Sequence, residues 1–153
     1  VVTVRPFNVI GPGLPEHYFA ASLARRLLRQ REAGGPAEFA VTNLDSTRDF
    51  VDVRDVAEAV VGLLDRAAPA RGAMAVYNVA SGVETPLAEL AAELGRLAGG
   101  LRPVDGGAAG SRGGIARSRG DAARLRRATG WAPRRTWRES VGEMWDALCR
   151  GRG

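Results

Sequence analysis

Residues 43–60 read NLDSTRDFVDVRDVAEAV, and their pattern changes character twice. The opening residues Asn43, Asp45, Ser46 and Thr47 carry turn chemistry. Residues 49–53, DFVDV, are a short run of strand formers. Asp55 then stands where a helix cap belongs, ahead of a helix predicted over 56–66 with Val56, Val60, Leu63 and Leu64 on one face. A strand that passes at once into an amphipathic helix is the building unit of an α/β sheet.

The same alternation continues on both sides. Upstream, VRPFNVIGPG (residues 4–13) is a strand of Val4, Phe7, Val9 and Ile10 stopped by Gly11-Pro12-Gly13, with one polar side chain, Asn8, near its end. Phe19, Leu23 and Leu27 recur at helical spacing within 16–33, EAGGP ends that helix, and AEFAV (37–41) is a second short strand. Downstream, AVYNVA (75–80) reads as a strand. Thr85 followed by Pro86 predicts an N-cap with proline at the first helical position, on a helix carrying Leu87, Leu90, Ala91 and Leu94 to about residue 98. LRPVD (101–105) is a further strand, and GGAAGSRGG (106–114) reads as a mobile glycine-rich loop. Asp121 is expected to cap a short helix that stops at Gly130. Thr136 and Glu139 have capping-box spacing before a last helix that buries Trp137, Val141, Met144, Trp145 and Leu148. The fold class is therefore α/β. The first residue already lies in a strand, and no glycine-rich strand–turn–helix motif for a dinucleotide follows. The chain reads as the second half of a longer protein.

Composition narrows the function. At 153 residues with 45% apolar and 25% charged residues, the chain has the balance of one globular domain. No apolar run approaches the roughly 20 residues that cross a bilayer, so no membrane partner is expected. One histidine, His17, and one cysteine, Cys149, make a transition-metal site unexpected and leave no internal disulfide, which fits a cytoplasmic setting. The net charge of +5 comes from 22 basic residues, all arginine. They are scattered over helix faces without interleaved aromatics, which argues against a nucleic-acid partner.

Three segments, RPFNVIGPG (5–13), NLDSTRDFVDVRDVAEAV (43–60) and YNVASG (77–82), are followed by GDAARLRRATGWAP (120–133). In order and spacing they resemble the C-terminal half of extended short-chain dehydrogenases/reductases, the NAD-dependent epimerase/dehydratase family. Within it, they are most similar to the branch of GDP-mannose 4,6-dehydratases and GDP-4-dehydro-6-deoxymannose reductases. The resemblance spans Val1 to about Leu148. It implies the last strands of a Rossmann-type sheet with a small mixed α/β substrate-binding lobe, so that residues 1–153 are the substrate-binding portion and the dinucleotide-binding portion lies outside the chain.

The resemblance also implies site residues. Asn8 would hydrogen-bond a nucleotide-sugar substrate, an uncharged amide being able to donate and accept; otherwise its side chain caps the turn. Pro6 and Phe7 would line the cofactor end of the cleft. Arg48 would grip the diphosphate through its planar, permanently charged guanidinium; otherwise it pairs with Asp45, Asp49 or Asp52. Arg112 is the third phosphate candidate. The arginine of the family's loop falls on Ser111 when counted back from Gly120-Asp121, and the acidic position that follows it falls on Gly114. Asp52, Arg54 and Asp55 read as structural ties, Tyr77 and Asn78 as strand and turn, and His17 as a structural residue.

Catalysis in relatives resembles a tyrosine whose pKa is lowered by a lysine four residues on, working with NAD(P). Tyr18 and Tyr77 are followed at that spacing by Ser22 and Ser81, and the chain contains no lysine. No catalytic residue is expected here, and the chain alone is expected to be inactive. NAD(P) would be bound mainly by the missing N-terminal half. The parent enzyme would be a homo-oligomeric reductase or dehydratase, with a 4-epimerase or a non-catalytic nucleotide- or nucleic-acid-binding module as the alternatives.

Overall fold

The computed structural model describes residues 1–66, 74–107 and 115–151. Strands β1 (Val2–Pro6) and β2 (Asn8–Ile10) are followed by α1 (Phe19–Glu32), β3 (Glu38–Val41), β4 (Thr47–Arg48), β5 (Phe50–Asp52) and α2 (Val53–Arg66). Then come β6 (Ala75–Val79), β7 (Thr85–Pro86), α3 (Leu87–Leu97), β8 (Arg102–Asp105), α4 (Ala123–Thr129) and α5 (Trp137–Arg150).

The opening strand of the sequence is two strands, because it changes partner at Phe7. β1 runs parallel to β6, with Val2 opposite Ala75 and Pro6 opposite Val79. The Phe7 amide completes that ladder by donating to the Val79 carbonyl at 2.9 Å. One residue on, the Asn8 amide donates to the Asp49 carbonyl at 3.0 Å, and β2 continues parallel to β5. Parallel pairs need long crossovers. β1 and β6 are joined through the lobe and α2, while β3 and β8 pair in parallel around α3.

β2 and β5 separate two cores. Ile10 and Phe50 face the lobe, where α1, α3 and α5 pack Leu23, Leu27, Leu28, Leu90, Leu94, Val141, Met144 and Trp145. Val9 and Val51 face the opposite way, toward Leu63, Tyr77, Val79, Leu125 and Trp131. The period-2 alternation of a strand buried on both faces produces this division.

Several local expectations change. Thr85 and Pro86 do not cap α3; they form β7, antiparallel to β4, and α3 begins at Leu87. Asp55 lies inside the first turn of α2 rather than ahead of it. Asp52 takes the capping position instead and accepts the Arg54 amide at 2.8 Å. On α2 the buried residues are Asp55, Ala59 and Leu63, while Val60, Val61 and Leu64 are exposed, Leu64 by 78%. With Val53 and Ala57 they form an apolar stripe at i, i+4, i+7, i+8 and i+11 spacing. Val2, Val4 and Val76 are half-buried, and β1 has a strand neighbour on one side only among the described residues. Other readings stand: the capping box of Thr136 and Glu139 is formed, and Gly130 ends α4 with a left-handed φ of 74°. Asp121 is not the cap of α4: the N-cap is Ala122, and the Asp121 carboxylate, one residue earlier, accepts the Ala123 amide at 2.7 Å. Residues 108–114, most of the expected glycine-rich loop, lie outside the described residues.

Candidate functional site

Asn8 and Arg48 lie on neighbouring strand segments: β2 runs beside β5, and Arg48 ends β4 two residues before β5 begins. The Asn8 side chain does not cap the Gly11 turn; its Nδ2 donates across to the Asp49 carbonyl at 3.1 Å, beside its own backbone amide on the same acceptor. The Oδ1 atom makes no hydrogen bond among the described residues.

Arg48 is half-buried. Its Nη1 donates to the Thr47 carbonyl and to the Ile115 carbonyl, both at 2.7 Å. Among the described residues it forms no ion pair with Asp45, Asp49, Asp52 or any other acid. Two carbonyls orient the guanidinium without neutralising it, so its remaining N–H groups can meet an anion.

Phe7 packs where the chain changes partner, and its ring lies against Gly120. A Cβ at Gly120 would collide with the Ala80 Cβ and stand 2.8 Å from the Phe7 ring. Only glycine fits there. Pro6 is exposed at the end of β1. Arg112 lies outside the described residues, but the segment that follows it is held at several points. The Thr47 amide donates to the Ala116 carbonyl at 2.9 Å. Arg117 pairs with Glu84 at 2.8 Å, and Arg119 Nε donates to the Gly82 carbonyl at 2.8 Å.

The junction's centre was missed in sequence. Asp49 is fully enclosed, and its carboxylate gathers the Ser81 turn and Gly120. The SG of YNVASG and the G of GD both deliver backbone amides to one acid, a convergence that needs three dimensions.

The acids beyond it behave differently. Asp52 accepts from the Arg54 guanidinium at 2.8 Å and from Ser140 Oγ at 2.6 Å, and Arg54 also pairs with Glu143. Burial pushes the Asp52 carboxyl up, but the hydrogen bonds from Arg54 and Ser140 and the charge of Arg54 outweigh it and hold the group at about 2. Asp55 accepts the Arg134 and Arg135 amides at 3.0 and 3.1 Å and the Arg135 guanidinium, while its carbonyl receives Trp131 Nε1 at 2.9 Å. These are structural ties, as the sequence indicated.

No acid–base group faces Asn8 and Arg48 among the described residues. Tyr77 is buried in β6 under Arg124, Asn78 reaches the Asp121 carbonyl, and Tyr18 stacks on exposed His17 ahead of α1. A cavity of about 590 Å³ lies elsewhere, between α2 and residues 129–134. The unneutralised Arg48 donors are chemically suited to an anionic, polar ligand. No helix is long and apolar enough to cross a membrane among the described residues.

Residues 1–80 match the model of the NAD dependent epimerase/dehydratase family. The chain is 41% identical over 90 residues to a GDP-6-deoxy-D-mannose reductase of Pseudomonas aeruginosa, covering 59% of this chain and 28% of that protein. It is 34% identical over 159 residues to a dTDP-6-deoxy-L-talose 4-dehydrogenase (NAD(P)(+)) of Kitasatospora kifunensis, covering 95% and 45%. The solved structure of RMD from Pseudomonas aeruginosa complexed with NADPH superposes with a TM-score of 0.80 at 36% identity, over 96% of this chain and 47% of that one. The chain spans less than half the length of each.

Proposed function

The chain belongs to the NAD-dependent epimerase/dehydratase family, and from that premise we propose that it is the substrate-binding portion of an NAD(P)-dependent enzyme that reduces a nucleotide-linked 4-keto-6-deoxyhexose at C4. The observation that carries the reading is Arg48: a half-buried residue whose guanidinium is oriented by two carbonyls and paired with no acid among the described residues, one residue before the carbonyl that holds the Asn8 amide. Arg48 grips the diphosphate, Asn8 hydrogen-bonds the sugar nucleotide, and Arg112 adds a second phosphate contact. The similarity to a GDP-6-deoxy-D-mannose reductase favours GDP as the nucleotide and reduction over 4,6-dehydration or 4-epimerisation.

A nicotinamide held against Pro6 and Phe7 would supply the hydride. This chain's part toward it is limited to Pro6 and Phe7. Pro6 has no N–H, and the Phe7 amide is already taken by Val79, so the contact available is packing against the ring. The remaining cofactor contacts and the acid–base groups belong to the half of the relatives' length that this chain does not cover. The exposed stripe of Val53, Val60, Val61 and Leu64 and the unpaired side of β1 are the surfaces that half covers.

The test is calorimetric titration of GDP, with UDP and dTDP for comparison, into the protein at its full natural length. Arg48→Ala is expected to weaken GDP binding by roughly 2–4 kcal/mol, the loss of a desolvated charge-assisted contact. Arg48→Lys restores only part, because an ammonium lacks the two-pronged geometry. Equal affinities for all three proteins would remove the diphosphate reading.

A further inference from the structure

The proposed ligand contacts leave Asp49 without a role, yet its side chain is fully enclosed and every acceptor direction of its carboxylate is used. Oδ1 accepts the Ser81 amide at 2.8 Å and the Ser81 hydroxyl at 2.7 Å. Oδ2 accepts the amides of Gly82 and Gly120, both at 2.9 Å. No arginine shares this carboxylate among the described residues. Most of its donors are backbone amides, which can neither titrate nor swing away.

The rest of the residue points the other way. The Asp49 carbonyl accepts both the backbone and side-chain N–H of Asn8. Its peptide neighbour is Arg48, whose guanidinium reaches the Ile115 carbonyl on the segment that ends at Gly120. Gly120 in turn is wedged against Phe7 and Ala80. One residue thus joins the strand carrying Asn8, the strand carrying Arg48 and the segment against which Arg48 is braced.

We propose that Asp49 is a positioning residue that sets the geometry of Arg48 and Asn8 toward the diphosphate, a role that rests on reading Arg48 as the phosphate contact. It touches no ligand. The carboxylate is specific to the task because both oxygens must accept. Asparagine has the same shape, but its NH2 would face either the two Ser81 donors or the Gly82 and Gly120 amides, turning attraction into repulsion on one side. Gly120 cannot yield without moving the Phe7 ring, so the displacement passes to the 115–120 segment and to the brace on Arg48.

The experiment uses the protein at its full natural length, labelled with ¹⁵N-arginine, and GDP as the probe. The Arg48 Nε resonance is assigned by its disappearance in Arg48→Ala. Asp49→Asn is expected to shift that resonance before GDP is added and to raise the GDP dissociation constant about tenfold. In an Arg48→Ala background it is expected to add only part of that loss, since Arg48 is then absent and only Asn8 is left to be displaced. Ser81→Ala removes one donor and is expected to act in the same direction by about twofold to threefold; it carries the test should Asp49→Asn not fold. An unchanged resonance with unchanged GDP affinity overturns the proposal, as does a loss that adds in full to that of Arg48→Ala. The phosphate reading fails separately: if Arg48→Ala binds GDP normally while Asp49→Asn still shifts the Arg48 resonance, Asp49 positions Arg48 but the ligand is not gripped there.

Discussion

Asp49 and Asp52 are both enclosed and lie at the two ends of β5, yet the chain neutralises them in opposite ways. Asp52, and Asp55 just beyond it, are matched with arginines: Arg54 lies between Asp52 and Glu143, and Arg135 between Asp55 and Glu58. Asp49 is satisfied by amide dipoles and a hydroxyl. The difference decides what is left for a ligand. A guanidinium held by carboxylates has no charge to offer, and Arg54 and Arg135 are closed in this sense. Because Asp49 needs no cation, its neighbour Arg48 remains positive and is aimed by carbonyls alone. The rear of β5 is a clamp; the front, on the proposed reading, is a receptor.

That contrast predicts that the clamp affects stability and the receptor affects binding. The largest effect is expected for Asp55→Asn. The carboxylate is wholly buried and receives two backbone amides as well as Arg135, so removing its charge leaves a cation and donors without their acceptor, a loss of about 3 kcal/mol. Urea unfolding at unchanged m-value measures it. GDP affinity of the folded protein is expected to stay within about twofold; a tenfold loss would mean that the two ends of β5 are not separate.

The next effect is pH-dependent. Asp52 ordinarily titrates at 3.8 and is held at about 2 in the fold. A depressed carboxyl stabilises the fold above its ordinary value, and that stability is lost as pH falls from about 4 through about 2. The amount is about 2 kcal/mol at neutral pH. Asp52→Asn is expected to flatten this part of the acid-unfolding curve. If it retains the wild-type slope between these limits, the Arg54 and Ser140 contacts do not carry the acid sensitivity.

The clamp was legible in sequence and the receptor only in part, for a physical reason. Asp52, Arg54 and Asp55 are near neighbours, so their pairing is local, although the arginine that meets Asp55 comes from the other side of the molecule. Asn8 stands out as a polar group at a strand end, while Arg48 is pointed to by the family resemblance. Asp49 did not, because its donors arrive from residues 81, 82 and 120, and backbone amides leave no mark on a sequence. The same limit explains Thr85-Pro86: locally they suit a helix start, but β4 offers them a strand partner, and pairing decided. Val60 and Leu64 were placed inside by hydrophobicity alone, whereas α2 turns Ala59 and Leu63 inward, the small alanine allowing close approach to the second core.

The smallest expected effect sharpens the comparison most. Glu84 pairs with Arg117 at the rim of the same segment that Asp49 holds from inside. Hydrogen bonding from Arg117 lowers the Glu84 pKa, with burial opposing, but Arg117 is 76% exposed and water and salt screen the pair. Glu84→Gln keeps the side chain's length and much of its hydrogen bonding to Arg117 and Thr47. It is expected to leave the urea midpoint unchanged and to alter GDP affinity by less than about twofold, with no shift of the Arg48 resonance. Both segments would then be held by the enclosed carboxylate rather than by the surface pair. A Glu84→Gln protein that loses GDP affinity at low salt and already has a displaced Arg48 signal would reverse that order, and the brace on Arg48 would belong to the rim.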